Sequence, residues 1–125
     1  MLGGSGAGEL RSRVRFDKPA LGDDGYGNPI QGWQEMFTVS SQNIPKLGGE
    51  AVAAAQLAGR QPYILRIRQS PDTKQIRTDW RATWLVPNPR NEDTVMNIRT
   101  IADPDSGSGN HGLWLELIAE TGVAV

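Results

Sequence analysis

Leu10-Arg11-Ser12-Arg13-Val14-Arg15-Phe16-Asp17 changes side-chain character at every step, with Leu10, Ser12, Val14 and Phe16 on one face and Arg11, Arg13, Arg15 and Asp17 on the other. A period of two is the spacing of a pleated strand, so this stretch predicts a half-buried β-strand with its arginines outward. Pro19 reads as its end. Asp23-Asp24-Gly25 and Gly27-Asn28-Pro29 then make a long turn in which the glycines supply positive φ. The chain re-enters through Trp33, Glu35, Phe37 and Val39, which at strand spacing share one face. The two strands form a hairpin whose connection is too long for a tight two-residue turn.

Beyond this hairpin the pattern changes. Pro45 breaks the strand, and Gly48-Gly49 lead into the helix formers Glu50 to Ala58, with Gly59 as the C-terminal stop. Glu50 suits the positive end of the helix dipole, but no Ser, Thr, Asp or Asn caps the start. The predicted apolar stripe is thin, consisting of Val52, Ala53 and Leu57, so the helix is a connector that takes its stability from packing. Strand character returns in Tyr63, Leu65 and Ile67, opposite Arg66 and Arg68, and then in Ile76 to Val86, where Trp80, Ala82, Trp84 and Val86 share a face. Thr94 to Ala102 and Leu113 to Ala119 are the last two strands, the final one apolar on both faces. The whole reads as a mainly β fold: a small antiparallel barrel or sandwich of about six strands, with one short Ala-rich helix between strands two and three.

The composition agrees. The chain has 125 residues, 38% hydrophobic and 22% charged, with fifteen Gly and eight Pro to serve turns. Residues 1–9 read as a flexible N-terminal arm, and 10–125 as a single domain. No apolar run approaches the roughly 20 residues of a membrane-spanning helix. The net charge is −1 but unevenly spread: from Arg60 to Arg90 seven basic residues meet only Asp72 and Asp79, leaving this segment at +5 and the remainder at −6. Such asymmetry marks either a nucleic-acid face or strand surfaces that meet acidic neighbours in the fold.

Candidate chemistry is sparse. With no cysteine and one histidine, His111, a single chain builds neither a thiolate site, a multi-histidine metal site nor a histidine-dependent triad. Gly3 to Gly8 lacks the lysine and the preceding strand of a phosphate loop. Asp103, Asp105, Ser106 and Gly107 open like a calcium loop, yet the twelfth position is Trp114 where a bidentate glutamate is required. The neighbouring carboxylates Asp23 with Asp24 and Glu92 with Asp93 lie in turn-like sequence, away from the burial that tunes acid–base groups. No catalytic residue, cofactor or metal is therefore assigned. Trp33, Trp80, Trp84 and Trp114 read as core, although interleaved with Arg66, Arg68, Arg77 and Arg81 they also allow a nucleic-acid-binding barrel.

The ordered series of segments resembles the head-tail joining family, the small head-closure (stopper or adaptor) proteins of tailed bacteriophages and related gene transfer particles. It runs from Ala7-Gly8-Glu9-Leu10-Arg11 and Arg13-Val14-Arg15-Phe16 through Asp24-Gly25-Tyr26-Gly27-Asn28-Pro29 and Trp33 to the helix Glu50 to Ala58. Tyr63 to Arg68, Ile98 to Pro104 and Leu113 to Ile118 complete it, while Arg81 to Thr94 is longer and richer in Pro and Asn than the family pattern. The resemblance implies a non-enzymatic β-barrel that assembles with itself into a ring. That ring sits below a portal or adaptor protein and above tail or tail-terminator proteins, in the virion, after assembly in the host bacterial cytoplasm. Under it Arg11, Arg13, Arg15, Asp23, Asp24, Tyr26 and Asn28 are expected at ring or neighbour contacts. The segment Ile44 to Arg60, with Lys46, Glu50 and Arg60 as its charged groups, is expected to face the channel and meet packaged double-stranded DNA weakly and non-specifically. A tail-completion or terminator ring is the alternative within the same physics.

Overall fold

The computed structural model describes residues 10–23, 25–104 and 112–122. Their alternating segments form six strands: β1 (Ser12–Asp23), β2 (Pro29–Pro45), β3 (Gln61–Arg68), β4 (Arg81–Trp84), β5 (Thr94–Ala102) and β6 (Trp114–Thr121). One helix, α1 (Glu50–Leu57), joins β2 to β3, the predicted place. Every pairing is antiparallel, in the order β1-β2-β3-β6-β5-β4, and β4 pairs back onto β1 to close a barrel. Closure leaves the core between strands, with side chains from every strand pointing into it.

Val14 and Phe16 of β1 are fully buried there with Leu65, Ile67, Ala82, Met96, Leu117 and Ala119. The ring of Phe16 lies 5.7 Å from that of Phe37, Phe37 lies 6.0 Å from Trp80, and Tyr63 meets Trp84 edge-on at 5.2 Å. These tilted and edge contacts are the favourable geometries for ring quadrupoles.

A bulge in the first hairpin changes which residues face inward. The register runs Phe16 opposite Phe37 and then Asp17 opposite Glu35, skipping Met36. The extra residue turns β2 over, so Met36, Phe37 and Val39 all pack on the core while Trp33 and Glu35 share the outer face with Asp17. The single face expected for Trp33, Glu35, Phe37 and Val39 is therefore split in two.

Pro19 does not end β1. Beyond Asp17 the strand has left β4 and keeps β2 as its neighbour as far as Asp23, so a residue without an N–H is admissible on the free side. The distal hairpin, residues 18–23 against 29–34, consequently extends roughly 20 Å past the barrel at ~3.3 Å per residue and is mostly exposed. Its connection closes between Asp23 and Pro29, longer than a tight turn as expected.

Three other expectations change. The strand expected from Ile76 to Val86 is confined to Arg81–Trp84, because residues 76–80 form turns that bury Ile76 and Trp80 at the barrel end, and Val86 is exposed. On α1 the buried residues are Val52 and Ala55, at i and i+3; Ala53 points to solvent, and Leu57 is 91% exposed. Leu113 precedes β6 and is exposed, whereas Leu115, Leu117 and Ala119 line the interior. The glycine stop holds: Gly59 has φ 80°, and the Gly59 and Arg60 amides donate to the Gln56 and Ala55 carbonyls at 3.0 and 2.8 Å.

Candidate functional site

The outer surface carries the chemistry, and it begins at the root of the hairpin arm. Asp17, 2% exposed, accepts from Arg15 Nε at 3.2 Å and from Arg81 Nε at 2.9 Å. The Arg81 guanidinium also lies 4.7 Å from the centre of the Trp33 ring, and Arg15 stands 4.0 Å from Glu35. A carboxylate with two cations and an aromatic lid forms a clamp that ties β4 to both strands of the arm just where it leaves the barrel. A polar cleft of about 580 Å³ runs beside it, lined by Pro19, Gln31, Gly32, Trp33, Asp79 and Asn97.

At the tip, Asp23 Oδ1 accepts from the Gly25 and Gly27 amides at 2.8 and 3.2 Å, and both glycines adopt positive φ. The carboxylate thus shapes the turn. Tyr26 and Asn28 are exposed there; Asp24 lies outside the described residues. Of the arginines expected at contacts, Arg11 is exposed, Arg13 donates to the Ser40 hydroxyl at 3.1 Å, and Arg15 belongs to the clamp. The six described residues among those named for ring contacts are therefore not gathered in one place: Asp23, Tyr26 and Asn28 are at the tip, Arg15 is at the root, and Arg11 and Arg13 are at the far end of the β1–β2 ladder.

The segment named for the channel sits elsewhere, beside β3 and β6. Lys46 and Glu50 are exposed, while Arg60 pairs with Glu120 at 3.3 Å. Its charge is already matched within the fold.

Part of the basic stretch is matched in the same way. Arg66 reaches Glu116 at 2.8 Å, and its guanidinium and that of Arg68 lie 5.3 and 5.0 Å from the Trp114 ring. Trp114 is buried on the outer face under these two arginines, so it is covered, though from outside the core. Trp80 and Trp84 are core residues as expected, and Trp33 is half-buried under Arg81. Arg66 and Arg68 cover Trp114 and Arg81 covers Trp33, so neither of these outer rings offers the bare platform that base stacking needs.

A second cleft, of about 360 Å³, opens where β2 and β3 part. They pair only over Gln42–Pro45, and beyond that ladder Val39 and Ser40 face Arg68, Ser70 and Thr73 across a gap that Leu10 enters. Sequence reading missed this cleft, because it depends on where a ladder stops.

Among the described residues no three of His, Cys, Asp and Glu converge to hold a metal. Asp103 serves as a tether, accepting from Gln69 Nε2 at 3.1 Å and the Gly112 amide at 2.9 Å. Asp93 accepts from the Val86 amide at 3.0 Å. Asp105, Ser106, Gly107 and His111 lie outside the described residues.

Comparison with known proteins bears on this surface. Residues 6–122 match the family model of the phage head completion protein. Among solved structures, the solution structure of protein SF1141 from Shigella flexneri 2a is similar over 95% of this chain and 98% of its own, at 23% identity and a TM-score of 0.66. A chain from the virion of a native gene transfer agent particle is similar over 91% of this chain and 98% of its own, at 18% identity and a TM-score of 0.53. Both share the fold. No curated protein matches the chain.

Proposed function

Because the chain belongs to the phage head completion protein family, a family of structural head proteins, we propose that it is the subunit of a homo-oligomeric ring at the head opening. The ring closes the DNA-filled head below the portal or adaptor and gives the tail, through its terminator or other tail proteins, a platform. It acts in the virion at the head-tail interface, after assembly in the host cytoplasm, and needs neither catalysis nor a cofactor.

The observation that carries this reading is the arm. A barrel of this size needs no ribbon reaching roughly 20 Å beyond its core, and an isolated two-stranded ribbon is marginal in water until something covers it. Arg15, Asp23, Tyr26 and Asn28 are then contact residues of that arm and its root, and Arg11, Arg13 and Asp24 complete the proposed contact set. Lys46 and Glu50, with Arg60 held by Glu120, present the α1 segment to the channel, where duplex DNA is met weakly and without sequence preference.

Electron microscopy of particles made without this protein tests the reading. Filled or leaking heads beside free tails are expected. Headless tails of uncontrolled length would assign the ring to tail termination. A gel shift separates the remaining class: a nucleic-acid-binding barrel retards DNA with steep salt dependence, whereas this surface, its arginines paired with Asp17, Glu116 and Glu120, is expected to bind free DNA poorly.

A further inference from the structure

The hairpin arm and the β2–β3 cleft lie at opposite ends of one ladder, and each presents what the other lacks. At the arm, Leu21 is 78% exposed and shares a ribbon face with Asp23, two residues on, while Ile30, paired with Gly22, lies on the opposite face. At the cleft, Leu10 and Val39 form an apolar floor with Ser40, Ser70 and Thr73 around it and Arg68 at the mouth. Arg13 joins that mouth through its bond to Ser40. The tip of the arm carries Asp23. An aliphatic, acid-tipped ribbon thus matches an apolar pocket with a basic rim in both hydrophobicity and charge.

We propose that the arm of one copy seats in the β2–β3 cleft of the next, Leu21 covering the Leu10–Val39 floor and Asp23, on the same face, reaching the Arg13 and Arg68 rim. This deepens the ring reading and rests on it. A copy cannot fill its own cleft: Ile30 and Val39 are nine residues apart along β2, roughly 30 Å at ~3.3 Å per residue, on a rigid ladder. Because donor and acceptor are different patches, the contact is heterologous; it leaves an unused arm at one end and an unused cleft at the other, and it ends only when a ring closes. The open edge of β2 beside the cleft, unpaired toward β3 before Gln42, supplies backbone groups for the incoming ribbon.

The chain has no cysteine, so a cross-link reports this contact alone. Heads are assembled with the Leu21→Cys/Ser40→Cys chain in place of the original, oxidised mildly, and run without reductant. The expected result is a ladder of covalent oligomers that neither single-cysteine chain gives. A ring visible by electron microscopy at normal occupancy but containing only monomers overturns the arm-in-cleft contact and leaves the ring standing. Particles that carry the protein without any ring overturn both. A disulfide-linked dimer from Leu21→Cys alone means arm-to-arm pairing and also overturns the proposal. Independently, Leu21→Asp, at a site too exposed to affect folding, should keep the melting temperature and lower particle occupancy at least tenfold; unchanged occupancy refutes the seat.

Discussion

Replacing Asp17 by Asn tests whether the clamp at the arm root holds the barrel seam together. The wild-type carboxylate, 3% exposed as a side chain, accepts from two guanidinium groups that are themselves 29% and 22% exposed on their side chains. Asparagine keeps the shape but presents one oxygen and one NH2, so one arginine meets a donor where it had an acceptor. Breaking a fully buried ion pair costs about 3–5 kcal/mol and a surface pair about 0–1. With the anion buried and the cations partly wet, the expected loss is about 2 kcal/mol, between those limits. The two arginines should differ. Arg15 has Glu35 as a second carboxylate at 4.0 Å, whereas Arg81 bridges Asp17 to Trp33 across the β1–β4 seam. Arg81→Gln is therefore expected to cost about 1.5 kcal/mol and Arg15→Gln about 0.5. Urea unfolding at pH 7, followed by tryptophan fluorescence and circular dichroism, measures both. At an m value of ~2 kcal/mol per molar, the Asp17→Asn midpoint falls by about 1 M. The cycle of Asp17→Asn with Arg81→Gln should return a coupling of at least about 1 kcal/mol. A midpoint shift below ~0.2 M with coupling near zero would show the clamp to be a surface ornament and refute the reasoning.

Other substitutions probe separate parts of the fold. A Cβ at Gly122, which has φ 79°, would collide with the Gly59 carbonyl oxygen, so Gly122→Ala should cost more than 2 kcal/mol, while Gly25→Ala, in open space at the arm tip, costs ~1; thermal melting that ranks them equally counts against the contact. Thr83 is buried with its hydroxyl unpartnered, so Thr83→Val should raise stability by about 1 kcal/mol, read as a higher urea midpoint, and a loss would mean the hydroxyl has a partner. Phe16→Ala opens an interior cavity and should cost about 3–5 kcal/mol. Trp114→Ala empties an outer-face site that the Arg66 and Arg68 stems can close over, and should cost about 2; equal losses in calorimetry would return Trp114 to the core.

The strands that were legible are those whose period-two pattern runs uninterrupted. Val14 and Phe16, Leu65 and Ile67, and Leu115 and Leu117 point inward as the alternation requires. What the sequence does not disclose is each place where a neighbouring strand decides. The β2 bulge at Met36 is invisible locally, because Met36 and Phe37 are both apolar and only the pairing with Phe16 and Asp17 fixes which way β2 turns. Pro19 reads as a stop for the same reason: its tolerance depends on β4 ending opposite Asp17. In α1 the helix itself was plain, but its contact face was not, since an Ala-rich segment has no strong stripe and β3 selects Val52 and Ala55. Of the contact residues named in the first hairpin, Asp23, Tyr26 and Asn28 lie at the exposed tip and Arg15 in the clamp; the β2–β3 cleft is built from three separated segments, and no local signal marks it.

The uneven charge along the chain takes its meaning from these pairings. Arg60, Arg66 and Arg81 lie in the segment that carries +5, yet each faces a carboxylate from the acidic remainder: Glu120, Glu116 and Asp17. Two of the pairs join β3 or its leading residue to β6, and the third joins β4 to β1. The excess of one sign in sequence becomes cross-strand stitching in space, strongest at the seams that close the barrel. Affinity for duplex DNA scales with the cations left to displace counterions from phosphate, and these three are spent internally. On the proposed ring reading, in which packaged DNA passes the subunit, that is a physical advantage: these arginines brace the barrel without adding to its attraction for the duplex. On that reading shape and subunit contact carry the closure, and the element proposed to provide them is the arm that leaves the barrel at the Asp17 clamp.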